Sequence, residues 1–129
     1  MVTADISQLS GECSTWRESL RSYRDEINQL KHRLQQAASQ TLSKEQLQDV
    51  EHYHNQFHIQ LINVHDLKQS IKAHDRRVNF EMSAHNGQIS KDSLAEHEHL
   101  LEEYQTLDNT LQSLREEFSS FINRTNLKT

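Results

Sequence analysis

Histidine is the residue type through which this chain could do chemistry, and it occurs nine times in 129 residues. His52, His54, His58, His65 and His74 fall in one stretch, His97 and His99 in another, and His32 and His85 complete the set. His54 and His58 stand four apart, so on a helix both rings share one face and offer a pair of ligands to Zn²⁺ or another transition metal. Glu51-x-x-His54, Glu96-x-x-His99 and His99-x-x-x-Glu103 add carboxylate–imidazole pairs at helical spacing. Cys13 is the sole thiol. With no histidine near it on its own helix face, it reads as a buried small apolar residue rather than a nucleophile. A single cysteine forms no intramolecular disulfide, which fits a reducing compartment.

The elements that must position these residues follow from the apolar pattern. Proline is absent and glycine occurs only at Gly11 and Gly87, so little breaks the chain. Leu9, Cys13, Trp16, Leu20, Tyr23, Ile27, Leu30, Leu34 and Ala37 recur at spacings of three and four, a narrow heptad seam. A second segment opens at Ser43, where Ser43 and Gln46 have capping-box spacing and Leu42 and Leu47 that of a hydrophobic staple. Its expected seam is Leu47, Val50, His54, Phe57, Leu61, Val64, Lys68 and Ile71. Beyond it Leu67, His74 and Val78 share the face, and fraying is expected between Phe80 and His85. Asn86-Gly87 is a stop signal. A third segment starts near Ser90, with Ile89 and Leu94 as a second staple. It continues through Leu94, His97, Leu100, Tyr104, Leu107, Leu111, Leu114, Phe118 and Phe121. Asp92, Glu96 and Glu98 suit its N-terminal dipole, and Arg124 and Lys128 its C-terminal end.

Short links at 39–42 and 83–89 make sequence neighbours antiparallel. The expectation is therefore all-α: one domain over 1–129, an antiparallel up-down-up three-helix bundle with helices at about 7–38, 43–82 and 90–125. This architecture, with an early Trp16 on the first seam, resembles a spectrin-type repeat.

The two Glu-x-x-His motifs resemble those of ferritin-like di-metal bundles, and His99 with Glu103 is similar to part of a haemerythrin site. Register opposes a shared centre in one chain. His54 lies 33 residues before Gly87 and His99 lies 12 after it. That mismatch is roughly 30 Å along a bundle. His54 and His58 therefore stand as candidate metal ligands that need a second subunit, and no cofactor is assigned. His54 and His97 fall on seam positions, where polar residues can set register. Antiparallel pairing places Asp25 near His58 and Glu18 near His65.

Composition narrows the partner classes. The net charge of −5 disfavours nucleic-acid phosphate as a partner, and protonating every histidine would carry it to +4 (−5 + 9). Lys72, Arg76 and Arg77 form a local basic spot, and Glu96, Glu98, Glu102 and Glu103 an acidic run. His74 and Arg77 pair in register with the start of the third segment. The opening MVTADISQLS lacks the pattern of a signal peptide, and no apolar run approaches a membrane span. A cytoplasmic, non-enzymatic bundle acting through protein–protein contact or self-association is the leading expectation. Ile59, Ile62, Leu101 and Ile122 lie off the seams, where they widen the core or face a second chain. The alternative is a metal-binding bundle with His and Glu ligands gathered across a subunit interface.

Overall fold

The computed structural model describes residues 2–3, 6–40 and 42–125. Three helices account for nearly all of them: α1 (Ile6–Ala38), α2 (Lys44–Ala84) and α3 (Lys91–Thr125). The start of α2 is built as its sequence predicts. The Ser43 hydroxyl accepts the Gln46 N–H at 3.1 Å, and the Gln46 side chain accepts the Ser43 N–H at 2.9 Å. Two helix-terminal donors are thereby satisfied reciprocally. The staple does not accompany this box: Leu42 packs against the main core, while Leu47 is exposed.

Asn86 (φ 55°) and Gly87 (φ 84°) take left-handed backbone and end α2. The Gly87 N–H reaches back to the Met82 carbonyl at 2.9 Å, satisfying a terminal acceptor. The helix stays intact to Ala84, so it ends within the stretch from Phe80 to His85 where fraying is expected. Ser90 then caps α3, its hydroxyl accepting the Ser93 N–H at 3.0 Å. Buried Ile89 belongs to a small cluster with Leu9, Val78 and Met82, and half-buried Leu94 packs against that cluster. A two-residue ribbon not anticipated from the sequence lies beside this junction. Its strands β1 (Val2–Thr3) and β2 (Gln88–Ile89) run antiparallel, with Val2 opposite Ile89. Lys128 lies outside the described residues.

The three helices pack together around a core rich in Leu, Ile, Phe and Tyr. In α1 the buried residues are those of the expected seam, with Tyr23 half-buried among them. The α3 seam is likewise buried, apart from half-buried Leu94 and Tyr104. In α2 the seam differs from expectation. Val50, Phe57, Val64 and Ile71 face inward, but their partners are Tyr53, Gln60, Leu67 and His74. His54 is exposed, and Leu61 and Lys68 are only half-buried. The inward face is thus rotated by one residue along that row. Of the off-seam apolar residues, Ile122 is buried and Leu101 half-buried, while Ile59 and Ile62 stay exposed.

Candidate metal centre

Near the junction end of the bundle, one side chain from each helix converges. Cys13 of α1, His74 of α2 and His97 of α3 each present one donor atom, and these atoms lie within 4.8 Å of one another. All three residues are buried, at 1%, 3% and 5% exposure. Each position follows from helix packing. Cys13 falls on the α1 seam between Leu9 and Trp16. His74 occupies the rotated α2 seam between Ile71 and Val78. His97 sits one turn before Leu100. The Trp16 ring lies against the His97 imidazole with centroids 4.9 Å apart, giving the cluster an aromatic wall.

The polar atoms form a chain. Glu12 Oε2 meets His97 Nε2 at 2.7 Å, and His97 Nδ1 meets His74 Nε2 at 3.0 Å. Half-buried Glu12 brings this chain towards solvent. The carboxylate fixes the direction of the network. His97 Nε2–H donates to Glu12; in the tautomer in which that is the ring's single proton, His97 Nδ1 accepts from His74 Nε2–H. The remaining His74 nitrogen, Nδ1, then carries an unprotonated lone pair. It is buried without a hydrogen-bond partner among the described residues. Such an orphan acceptor costs about 1–3 kcal/mol unless something occupies it.

The hydrogen bond from His97 holds Glu12 below the ordinary carboxylate range, against a smaller opposing effect of burial. Burial, followed by repulsion from His97, lowers the pKa of His74 and keeps it neutral. Burial and the nearby Asp75 carboxylate push the Cys13 thiol up to about 11. A thiol so raised is no nucleophile on its own, but a metal ion displaces the proton outright.

This donor set suits a borderline-soft cation such as Zn²⁺ or Cu⁺. In a tetrahedral zinc site, neighbouring donors stand about 3.4–3.6 Å apart. Closing the cluster around an ion therefore takes movements of about 1 Å. Glu12 already occupies the place of the carboxylate that orients a metal-bound imidazole from its far nitrogen. None of the trio lines the groove between α2 and α3. That groove, about 520 Å³, is lined by Gln60, Asn63, Ser70, His99, Glu102 and Thr106 among others.

The sequence-level candidates lie elsewhere. His54 and His58 are both exposed on α2, and neither joins a group of three potential ligands among the described residues. His99 pairs with Glu103 at 2.8 Å on the surface of α3. Asp25 meets Arg24 rather than His58. His74 and His97 were each legible as inward-facing, and His74 as in register with early α3. The approach of Cys13 was not, because it depends on how the far ends of α1 and α2 align.

A second polar device sits at the same end. Glu81 accepts the Ser90 N–H at 2.7 Å, the Ser93 hydroxyl and the Arg77 guanidinium at 3.2 Å. These bonds, led by that from Ser93, hold its pKa down to about 2. Farther along, Tyr23 donates to Asp108 at 2.5 Å, and Arg115 grips Glu26 at 2.6 and 3.0 Å.

No protein-family model matches this chain, and neither curated proteins nor solved structures yield a significant match. Among the described residues, no helix is long and apolar enough to cross a membrane.

Proposed function

We propose that this chain is a non-enzymatic helical bundle that binds a single borderline-soft metal ion through Cys13, His74 and His97. The observation that carries the reading is the convergence of three buried donors, one from each helix, within 4.8 Å. The orphaned lone pair on His74 Nδ1 supports it, because burial of a bare acceptor is otherwise a net cost. An ion held there ties α1 to both other helices, so occupancy acts on the stability of the whole bundle. Binding to the folded state alone stabilises by about 2.7 kcal/mol when free metal is 100 times its dissociation constant. The site lies within one chain and uses a thiolate, unlike a His/Glu centre shared between subunits. Its burial favours a structural or metal-responsive role over catalysis.

Cobalt titration of the reduced, untagged protein tests this. One equivalent of Co²⁺ is expected to produce thiolate charge-transfer and tetrahedral d–d bands. Zn²⁺ should bleach them and raise the melting temperature. Cys13→Ser, His74→Gln and His97→Gln should each abolish the bands. A wild-type protein with no cobalt spectrum and no melting shift in Zn²⁺ or Cu⁺ overturns the proposal.

A further inference from the structure

The charge of this chain is segregated by helix. The α3 sequence carries eight acidic and three basic side chains, a net −5 that equals that of the whole chain. By the same count α1 carries four acidic and five basic, and α2 six and five. Where α1 and α2 meet, the contacts of Asp75 with Ser10 at 3.2 Å and Arg17 at 4.0 Å set the register, which brings Arg21 and Arg24 level with Lys72 and Lys68. Arg17, Arg21 and Arg24 follow one another at helical spacing on α1, and Lys68 and Lys72 do so on α2. The four others all act on Lys68: burial first, then repulsion by Lys72, Arg21, Arg24 and Arg17, lowers its pKa. Internal compensation is thin. Arg17 stands at 4.0 Å from Asp75, and its buried Nε has no partner among the described residues. Arg24 has exposed Asp25.

Like charges facing each other across a helix pair destabilise the fold. Five cations around one groove of an acidic chain therefore call for an anionic occupant. A nucleic acid would be repelled by the net charge of −5. The complementary surface is present in the chain itself. Glu98, Glu102 and Glu103 are exposed at the N-terminal half of α3, and Asp66 extends the acidic rim across the groove between α2 and α3. Arg17 to Arg24 and Glu96 to Glu103 each span seven residues, about 10 Å of helix, so the two rows match in length.

We propose that the α1/α2 groove bearing Arg17, Arg21, Arg24, Lys68 and Lys72 docks the acidic first half of α3 from a second copy of this chain. Each copy presents both surfaces on different sides, so the association is head-to-tail and adds further copies as concentration rises. It rests on surface charge and is independent of the metal centre.

Sedimentation velocity of the full chain, at about 100 µM and at about 20 and 500 mM NaCl, reads it out. At low salt the wild type is expected to form dimers and larger species that dissociate at high salt. R21E/K68E and E102K/E103K should each remain monomeric, since each lacks one of the two surfaces. Mixed together, they should yield a one-to-one dimer that grows no further, because each retains the face the other lost. Circular dichroism establishes that both variants are folded. The idea is overturned by a wild-type monomer at low salt, by association indifferent to salt or to either variant, or by mixed variants that stay apart. Tighter capture of a labelled single-stranded oligonucleotide than of a second copy also overturns it.

Discussion

His74 Nε2 and His97 Nδ1 meet at 3.0 Å in the core, although they belong to different helices and stand 23 positions apart. The pair is anchored from outside by Glu12, whose carboxylate lies 2.7 Å from the far nitrogen of His97. Glu12→Gln keeps the shape of that side chain but removes its charge. The proposed metal affinity should fall about 10–100-fold while the far-ultraviolet spectrum stays unchanged. Competition for Zn²⁺ against a colorimetric chelator measures this, and an unaltered affinity would remove Glu12 from the site.

The exposed pair His54 and His58 offers an internal control. The double variant H54Q/H58Q should retain one equivalent of tightly bound metal, with affinity changed by less than about threefold. A loss of that equivalent would move the metal site from the core to the surface of α2.

Glu81 supplies the clearest pH dependence. Its pKa is depressed from 4.5 to about 2 in the folded chain, so its ionised form is favoured by folding. The contribution is complete above the unfolded value and disappears as pH falls towards about 2. Glu81→Gln should therefore destabilise the protein by about 1–2 kcal/mol at neutral pH, as expected for a lost charge-assisted cap. Denaturant midpoints of the two proteins should converge between pH 4.5 and 2. A gap that stays constant across that range would show that the carboxylate charge is immaterial.

Tyr23 tests the coupling of α1 to α3 away from the proposed metal site. Its hydroxyl donates to Asp108 at 2.5 Å and meets the Tyr104 hydroxyl at 3.3 Å. Burial, followed by these bonds, raises its pKa and keeps it a donor at neutral pH. Tyr23→Phe should cost about 1–2 kcal/mol in urea denaturation and leave metal binding intact. No measurable change would mean that the Tyr104 and Asp108 groups re-solvate freely.

Much of this was legible in the sequence, and the exceptions share a cause. The α1 seam was readable because apolar residues occupy nearly every inward position, and the Ser43–Gln46 box because capping is local. The α2 seam misled because polar Gln60 is buried, while Leu47 is apolar yet exposed and Leu61 only half-buried. Hydrophobic periodicity cannot choose between faces when composition is inverted on both. Glu81 was unremarkable as a surface-type acid. Only the fold brings Ser90 and Ser93 round to it. The Cys13–His74–His97 trio was half-visible. Each member was expected to face inward, but a ligand set needs the alignment of three helices at one level, and spacing within one helix carries no such information.

The order of closure around that trio has a kinetic consequence. The loop that brings His74 to His97 is much shorter than the one that brings Cys13 to either, and its ends are pinned by Glu81, Ser90 and the left-handed Asn86–Gly87 turn. Shorter loops lose less chain entropy on closing. Contacts of low sequence separation accordingly assemble early. The two imidazoles should meet in an α2–α3 hairpin while the thiol is still travelling with the undocked α1. An ion captured at that stage would be held by nitrogen alone, and the arrival of sulfur would then mark the last committed step of folding.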